Sequence, residues 1–147
     1  MASVKGVNYT NITADPIVKV DSEVLGGKMR VSYDNYEASS LASGSDITIG
    51  RIPTNATIMD VVLKCDALGG SSTLTVGDSG DADRYLAAVG TWNAAGQTQS
   101  MLGGSTAANT AMTGLGYRTT AETDIVITTG GATINGSIHC WVMYTVE

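Results

Sequence analysis

The stretch Val76-Gly77-Asp78-Ser79-Gly80-Asp81-Ala82-Asp83 holds two candidate chemistries in eight residues. Gly-Asp-Ser-Gly is the setting of the nucleophilic serine in one class of proteases, and three closely spaced aspartates suggest a calcium loop. A nucleophilic serine needs a histidine base within hydrogen-bond reach, an aspartate to orient it and a site for the oxyanion. His139 is the one histidine in the sequence and follows Ser79, whereas such proteases carry His, Asp and Ser in that order. It also alternates with Trp141 and Met143, as one side chain of a strand would. A satisfied or surface histidine is the expectation, and the protease reading fails.

The metal reading fails on spacing. An EF-hand loop wants oxygens at its first, third and fifth positions, a glycine at the sixth and a glutamate at the twelfth. Counting from Asp81 puts Tyr85 at the fifth position and Leu86 at the sixth; counting from Asp78 puts Gly80 at the third. A looser calcium site on Asp78, Asp81 and Asp83 is the weaker alternative to a plain turn. Two separated cysteines and one histidine make no zinc cluster. Gly26-Gly27-Lys28 lacks the rest of a phosphate loop, and Gly114-Leu115-Gly116 is followed by Tyr117-Arg118-Thr119, so no dinucleotide fingerprint forms. No cofactor and no enzymatic activity are expected.

The elements that must position these residues are strands. The 147 residues include 18 glycines and no phenylalanine, and only 15% are charged. That mixture suits short strands joined by tight turns. Alternation predicts strands at Met29 to Ser39, Asp46 to Ile52, Thr57 to Ala67 and Thr73 to Val76, while Arg84 to Val89 reads as a strand or one helical turn, which alternation does not settle. In the third, Met59, Val61, Leu63 and Cys65 are expected on one side, opposite Ile58, Asp60, Val62, Lys64 and Asp66. Asp124 to Thr128 and Ala132 to Val146 read as a hairpin around Thr129-Gly130-Gly131. The middle, through Ala111, yields no clear pattern. About eight short strands point to an all-β domain, a β-sandwich or jelly roll, over residues 29–147. Residues 1–28 read as an extended N-terminal arm with a short strand near Ile17 to Val20. Cys65 and Cys140 read as small apolar core residues.

A net charge of -6 with eight Lys and Arg supplies no basic patch for nucleic acid and disfavours an anionic membrane. No apolar run approaches the ~20 residues of a membrane span, and Met1 to Gly6 is followed by no apolar signal core. The expectation is a chain made in a cytoplasm or assembled there into something larger.

Several segments resemble small virion structural proteins of tailed bacteriophages: Gly50-Arg51-Ile52-Pro53, Asp66-Ala67-Leu68-Gly69, Thr73 through Arg84, Thr123 through Thr129, and Val31 through Ala38. The resemblance runs from about Gly27 to Val146. It implies a post on the particle: a capsid decoration (cement) protein, commonly a homotrimer at local threefold positions against the major capsid protein, or a head-fibre or tail-associated subunit. Candidate subunit or capsid contacts are Tyr9, Ile12, Pro16 and Ile17 in the arm, and His139, Trp141 and Met143 on the last strand. Ile138, Cys140 and Val142 already make that strand's other side apolar, so it is either covered on both faces or part of an interface. The alternative function, recognition of a host-surface glycan, would place Trp92, Asn93 and Gln97 in an exposed cluster.

Overall fold

The computed structural model describes residues 4–5, 7–20, 26–90, 92, 94–103 and 114–146. Eight strands form two four-stranded antiparallel sheets: β1 (Met29–Leu41), β2 (Asp46–Ile52), β3 (Ala56–Cys65), β4 (Thr73–Asp78), β5 (Asp81–Val89), β6 (Gln97–Ser100), β7 (Thr123–Gly130) and β8 (Ile134–Val146). One sheet has the order β1-β8-β3-β6 and the other β2-β7-β4-β5. The all-β sandwich read from alternation is therefore the fold. Only β4 and β5, joined through Ser79-Gly80, are consecutive strands paired in one sheet; each other connection carries the chain between sheets.

Alternation explains why these segments pair this way. In β7 every second residue, Ile125, Ile127 and Thr129, is buried, and in β8 Ile138, Cys140 and Val142 are. Those side chains meet Ile52, Ile58, Val61, Leu63, Leu74 and Val76 in one apolar layer between the sheets. The chain has no phenylalanine, so Trp92 and Tyr85 are its largest buried side chains. Cys65 and Cys140 are free and buried in the same layer, where burial pushes both thiols up to about 12.

Three expectations need correction. The segments β7 and β8 do not form a hairpin. Each is a central strand with neighbours already on both sides, and they belong to opposite sheets. Gly130-Gly131 therefore makes a crossover. Gly131 takes φ 75°, and a Cβ there would run into the carbonyl oxygen of Ser71. Glycine suits a crossover as well as a hairpin turn, which is why residue types alone did not separate them.

The second correction lies in β3. Its register with β8 slips between Ile58 and Asp60, so one residue is absorbed in a bulge. The slip turns Ile58 fully into the core and leaves Met59 37% exposed, the reverse of simple alternation. The third concerns the arm. Val7–Ile12 form a six-residue helix, α1, rather than extended chain, and Ile17 to Val20 form no strand. The Val18 amide donates to the Asn11 carbonyl at 3.0 Å and folds the segment back on itself. Strand β6, in the stretch without a clear pattern, pairs with β3 and closes that edge.

The bulge yields a test. Ile58→Ala is expected to cost about 2–5 kcal/mol, whereas Met59→Ser should change stability by no more than roughly 0.5 kcal/mol. Urea unfolding midpoints check this; uninterrupted alternation along β3 would invert the two effects.

Candidate assembly surface

Strand β8 runs through the middle of its sheet, and its pairing decides what stands on the outward face. Met143 lies opposite Val31 and Asp60, Trp141 opposite Tyr33 and Val62, and His139 opposite Asn35 and Lys64. The three β8 side chains are half-buried by these lateral neighbours. Strands β1 and β3, beside it in the same sheet, are the elements β8 packs against most. Val31 and Tyr33 are 56% and 51% exposed. The face is thus an open row of large side chains, apolar at one end and aromatic in the middle.

Tyr33 organises that middle. Its hydroxyl and His139 Nδ1 are 2.8 Å apart, with 13° between the ring planes and 6.1 Å between centroids. A hydrogen bond near the ring planes at that separation sets the two rings edge to edge. Trp141 adjoins both, with centroids 5.1 Å from Tyr33 and 6.1 Å from His139. Three neighbouring rings on a strand surface bury well against a partner, because each carries a large apolar area at little rotamer cost. His139 is therefore a partnered surface histidine, as its alternation suggested.

The arm residues are placed differently. Tyr9 and Ile17 are 54% and 73% exposed, Pro16 is exposed and Ile12 is half-buried. Lys5 lies over the Tyr9 ring at 5.5 Å. Among the candidate contacts, the structure brings His139, Trp141 and Met143 together on one face and leaves Tyr9, Pro16 and Ile17 exposed in the arm. Sequence reasoning missed Val31 and Tyr33 as members of that face. Their alternation with Met29 was visible, but not which strand would lie beside them.

The proposed glycan cluster does not form as expected. Trp92 is buried at 1% exposure and Gln97 is half-buried on β6, while Asn93 lies outside the described residues. The indole is a core anchor, the largest of the fully buried side chains.

The Asp78 turn is neither protease nor metal site in geometry. Ser79 caps the β4–β5 hairpin, whereas His139 stands on the outward face of the other sheet. Asp78 Oδ1 accepts from the amides of Gly80 at 2.9 Å and Asp81 at 3.2 Å. Its Oδ2 accepts from Arg84 Nε and the Tyr85 hydroxyl, each at 2.8 Å. Four donors saturate a carboxylate, so little is left to offer a cation. Among the described residues no group of three His, Cys, Asp or Glu is placed to hold a metal.

The Arg84–Asp78 pair is sheltered: its side chains are only 16% and 4% exposed, and the guanidinium lies 4.0 Å from the centre of the Tyr117 ring. Neither Gly77 nor Gly80 takes a positive φ. Gly77 is needed for space, since a Cβ would strike Asp81 and Ala82 across the hairpin. The nearby cleft on this sheet holds Asp46, Arg51, Asp78, Glu122 and Asp124. Arg51 there pairs with Asp124 at 2.7 Å and Glu122 at 3.4 Å, and Thr128 donates to Asp46 at 2.7 Å. The cleft is a network of paired surface groups.

Burial opposes ionisation of Asp78, but the hydrogen bonds from Tyr85, Arg84 and the Gly80 amide outweigh it and hold the carboxyl below its ordinary value. Burial first, and then the bond to Asp78, push the Tyr85 hydroxyl well above its own. A depressed carboxyl pKa contributes stability that is present above the unfolded value, about 3.9, and is lost as pH falls through the folded value. Asp78→Ala is expected to cost about 3–5 kcal/mol at neutral pH by removing the carboxylate that the Arg84 guanidinium, the Tyr85 hydroxyl and the Gly80 and Asp81 amides share. Asp78→Asn should flatten the loss of stability below about pH 4. Urea titrations at pH 3, 4 and 7 check both; equal pH dependence in wild type and Asp78→Asn would contradict the assignment.

Comparison with known proteins places this geometry. No family model matches the chain, and no curated protein does. Solved structures do. A chain in the capsid asymmetric unit of cyanophage Pam1 is 26% identical, with a TM-score of 0.67 over 88% of this chain and 93% of that one. A chain in the capsid of Ralstonia phage GP4 is 16% identical, with a TM-score of 0.60 over 82% and 86%. One in the acid-stable capsid of Helicobacter pylori bacteriophage KHP30 is 11% identical, with a TM-score of 0.58 over 80% and 87%; the last two show the fold alone. The resemblance to phage virion structural proteins, read first from short motifs, is borne out by a fold shared with phage capsid chains over most of the sequence.

Proposed function

We propose that the chain is a non-enzymatic decoration (cement) protein that stabilises a phage head by bridging neighbouring capsomers. The observation that carries this reading is the open outward face of the β1-β8-β3-β6 sheet. There Val31, Tyr33, His139, Trp141 and Met143 present apolar and aromatic area, in a chain whose structural neighbours are capsid chains. A lone soluble domain gains nothing from such a face; an assembled one buries it. The partners are the major capsid protein and further copies of this chain as a homotrimer, with the arm residues Tyr9, Ile12, Pro16 and Ile17 as the second contact.

The strand order, β1-β8-β3-β6 against β2-β7-β4-β5, supports a jelly roll, an architecture common in capsids. The net charge of -6 suits the outer surface of a head better than one against packaged DNA. Packaged DNA pushes capsomers apart, and a trimer engaging three sites resists through effective concentration even where each contact is modest. The chain would be made in the bacterial cytoplasm and reside on the virion.

Particles lacking this protein are expected to release DNA at lower temperature and on a shift to low salt, with survival restored when purified protein is added back. Unchanged survival contradicts the cement role. Trp141→Ser should abolish that restoration while leaving the protein folded by circular dichroism. A variant that still binds and protects would remove the outward face from the contact.

A further inference from the structure

Strand β1 ends its sheet, and no strand among the described residues lies along its other edge. It is 13 residues long and exposed over most of its length on both faces. A long open edge is a template for another strand, and proteins usually blunt it with charges or proline. Here the charges are arranged otherwise. Arg30 and Asp34 are both exposed, on the same side of the strand as Ser32, two residues before it and two after. Val31 and Tyr33 flank Ser32 on the outward side, 56% and 51% exposed.

We propose that two copies of this chain pair antiparallel along β1 about a twofold axis at Ser32, joining their four-stranded sheets into one of eight. Complementarity selects this register. The axis sets each Arg30 opposite Asp34 of the second copy and each Val31 opposite its Tyr33, with Met29 opposite Asn35. Opposed charges and apolar pairs on one face are what stabilise neighbouring strands. Shifting the axis to Tyr33 sets Arg30 against Tyr36 and Met29 against Glu37. Shifting it to Asp34 sets that carboxylate against itself. An axis at Val31 leaves Arg30 facing Ser32 and shortens the paired segment. Arg30 and Asp34 do not protect the edge from a second copy; they favour its pairing in one register.

The pairing is isologous and so closes on itself. It stands apart from the decoration reading, but its place on a shell rests on that reading. Neighbouring threefold positions of a hexagonal lattice are related by twofold axes. Trimers paired along β1 would therefore link into a net around the head.

The test is made in solution on the full chain. Sedimentation velocity over a range of concentrations is expected to show the mass rising at least twofold. Arg30→Asp sets like charges across the axis and should weaken doubling roughly tenfold or more, and Asp34→Arg should do the same. The double variant R30D/D34R should recover it, an outcome that a folding defect in either single variant cannot produce. Ser32→Cys should cross-link into a covalent pair under mild oxidation, whereas Ser39→Cys, away from the axis, should not; Cys65 and Cys140 are buried and give no background. A wild-type mass that never doubles, a double variant that stays dissociated, or equal cross-linking at 32 and 39 overturns the proposal. Pairing in solution together with unchanged survival of particles lacking the protein would remove the decoration reading and leave the pairing standing.

Discussion

One constraint governs the molecule: each sheet must bury a single face against the other, in a chain with no phenylalanine. Branched and aliphatic side chains fill that layer, with Trp92 and Tyr85 supplying the bulk. Small side chains need close-fitting sheets, and a Cβ at Gly50 of β2 would come within 3.1 Å of Ser32 Oγ on β1 of the other sheet. Because the layer takes alternate residues from central strands, the remaining residues of those strands must point outward. Side chains such as Trp141 and Met143 are therefore on the surface because Cys140 and Val142 are not.

Closure of the sandwich rim depends on polar groups. Asp78 takes four donors at the β4–β5 turn and ties it to Arg84, which in turn lies over Tyr117 on the segment entering β7. Beside the same turn, Thr119 is buried at 1%. Its hydroxyl donates to the Pro53 carbonyl at 2.7 Å and accepts from the Ala56 amide at 2.9 Å. Groups of this kind stabilise little in net terms when complete and cost a great deal when one partner is lost. The apparent catalytic tetrapeptide is one of these rim fastenings. Its aspartate does the bonding, and its serine sits in the turn.

Function follows from what the sandwich leaves open. Among the described residues, the core face of the β1-β8-β3-β6 sheet is covered, whereas its outward face and its β1 edge are not, and both carry large or complementary groups. A surface of this kind suits the association proposed above. The likeness to a capsid chain of cyanophage Pam1 agrees with that.

Alternation and turn chemistry determined a good part of this. The bounds of β2, the cores of β4, β7 and β8, and the burial of both cysteines were legible because side chains two apart share a face, whereas alternation left β5 open between a strand and a helical turn. The motifs from Gly50 to Arg84 were enough to point to a virion. Local pattern could not reveal pairing. It made β7 and β8 a hairpin although they lie in different sheets, and it placed Met59 inside because a bulge is set by the partner strand. It also missed β6, whose four polar residues form a strand only because β3 offers them an edge. The outward row of Val31, Tyr33, Trp141 and Met143 joins residues more than a hundred positions apart. Each residue's type was written in the chain, but only the register of β1 on β8 made them one surface, since strand neighbours are chosen by long-range packing.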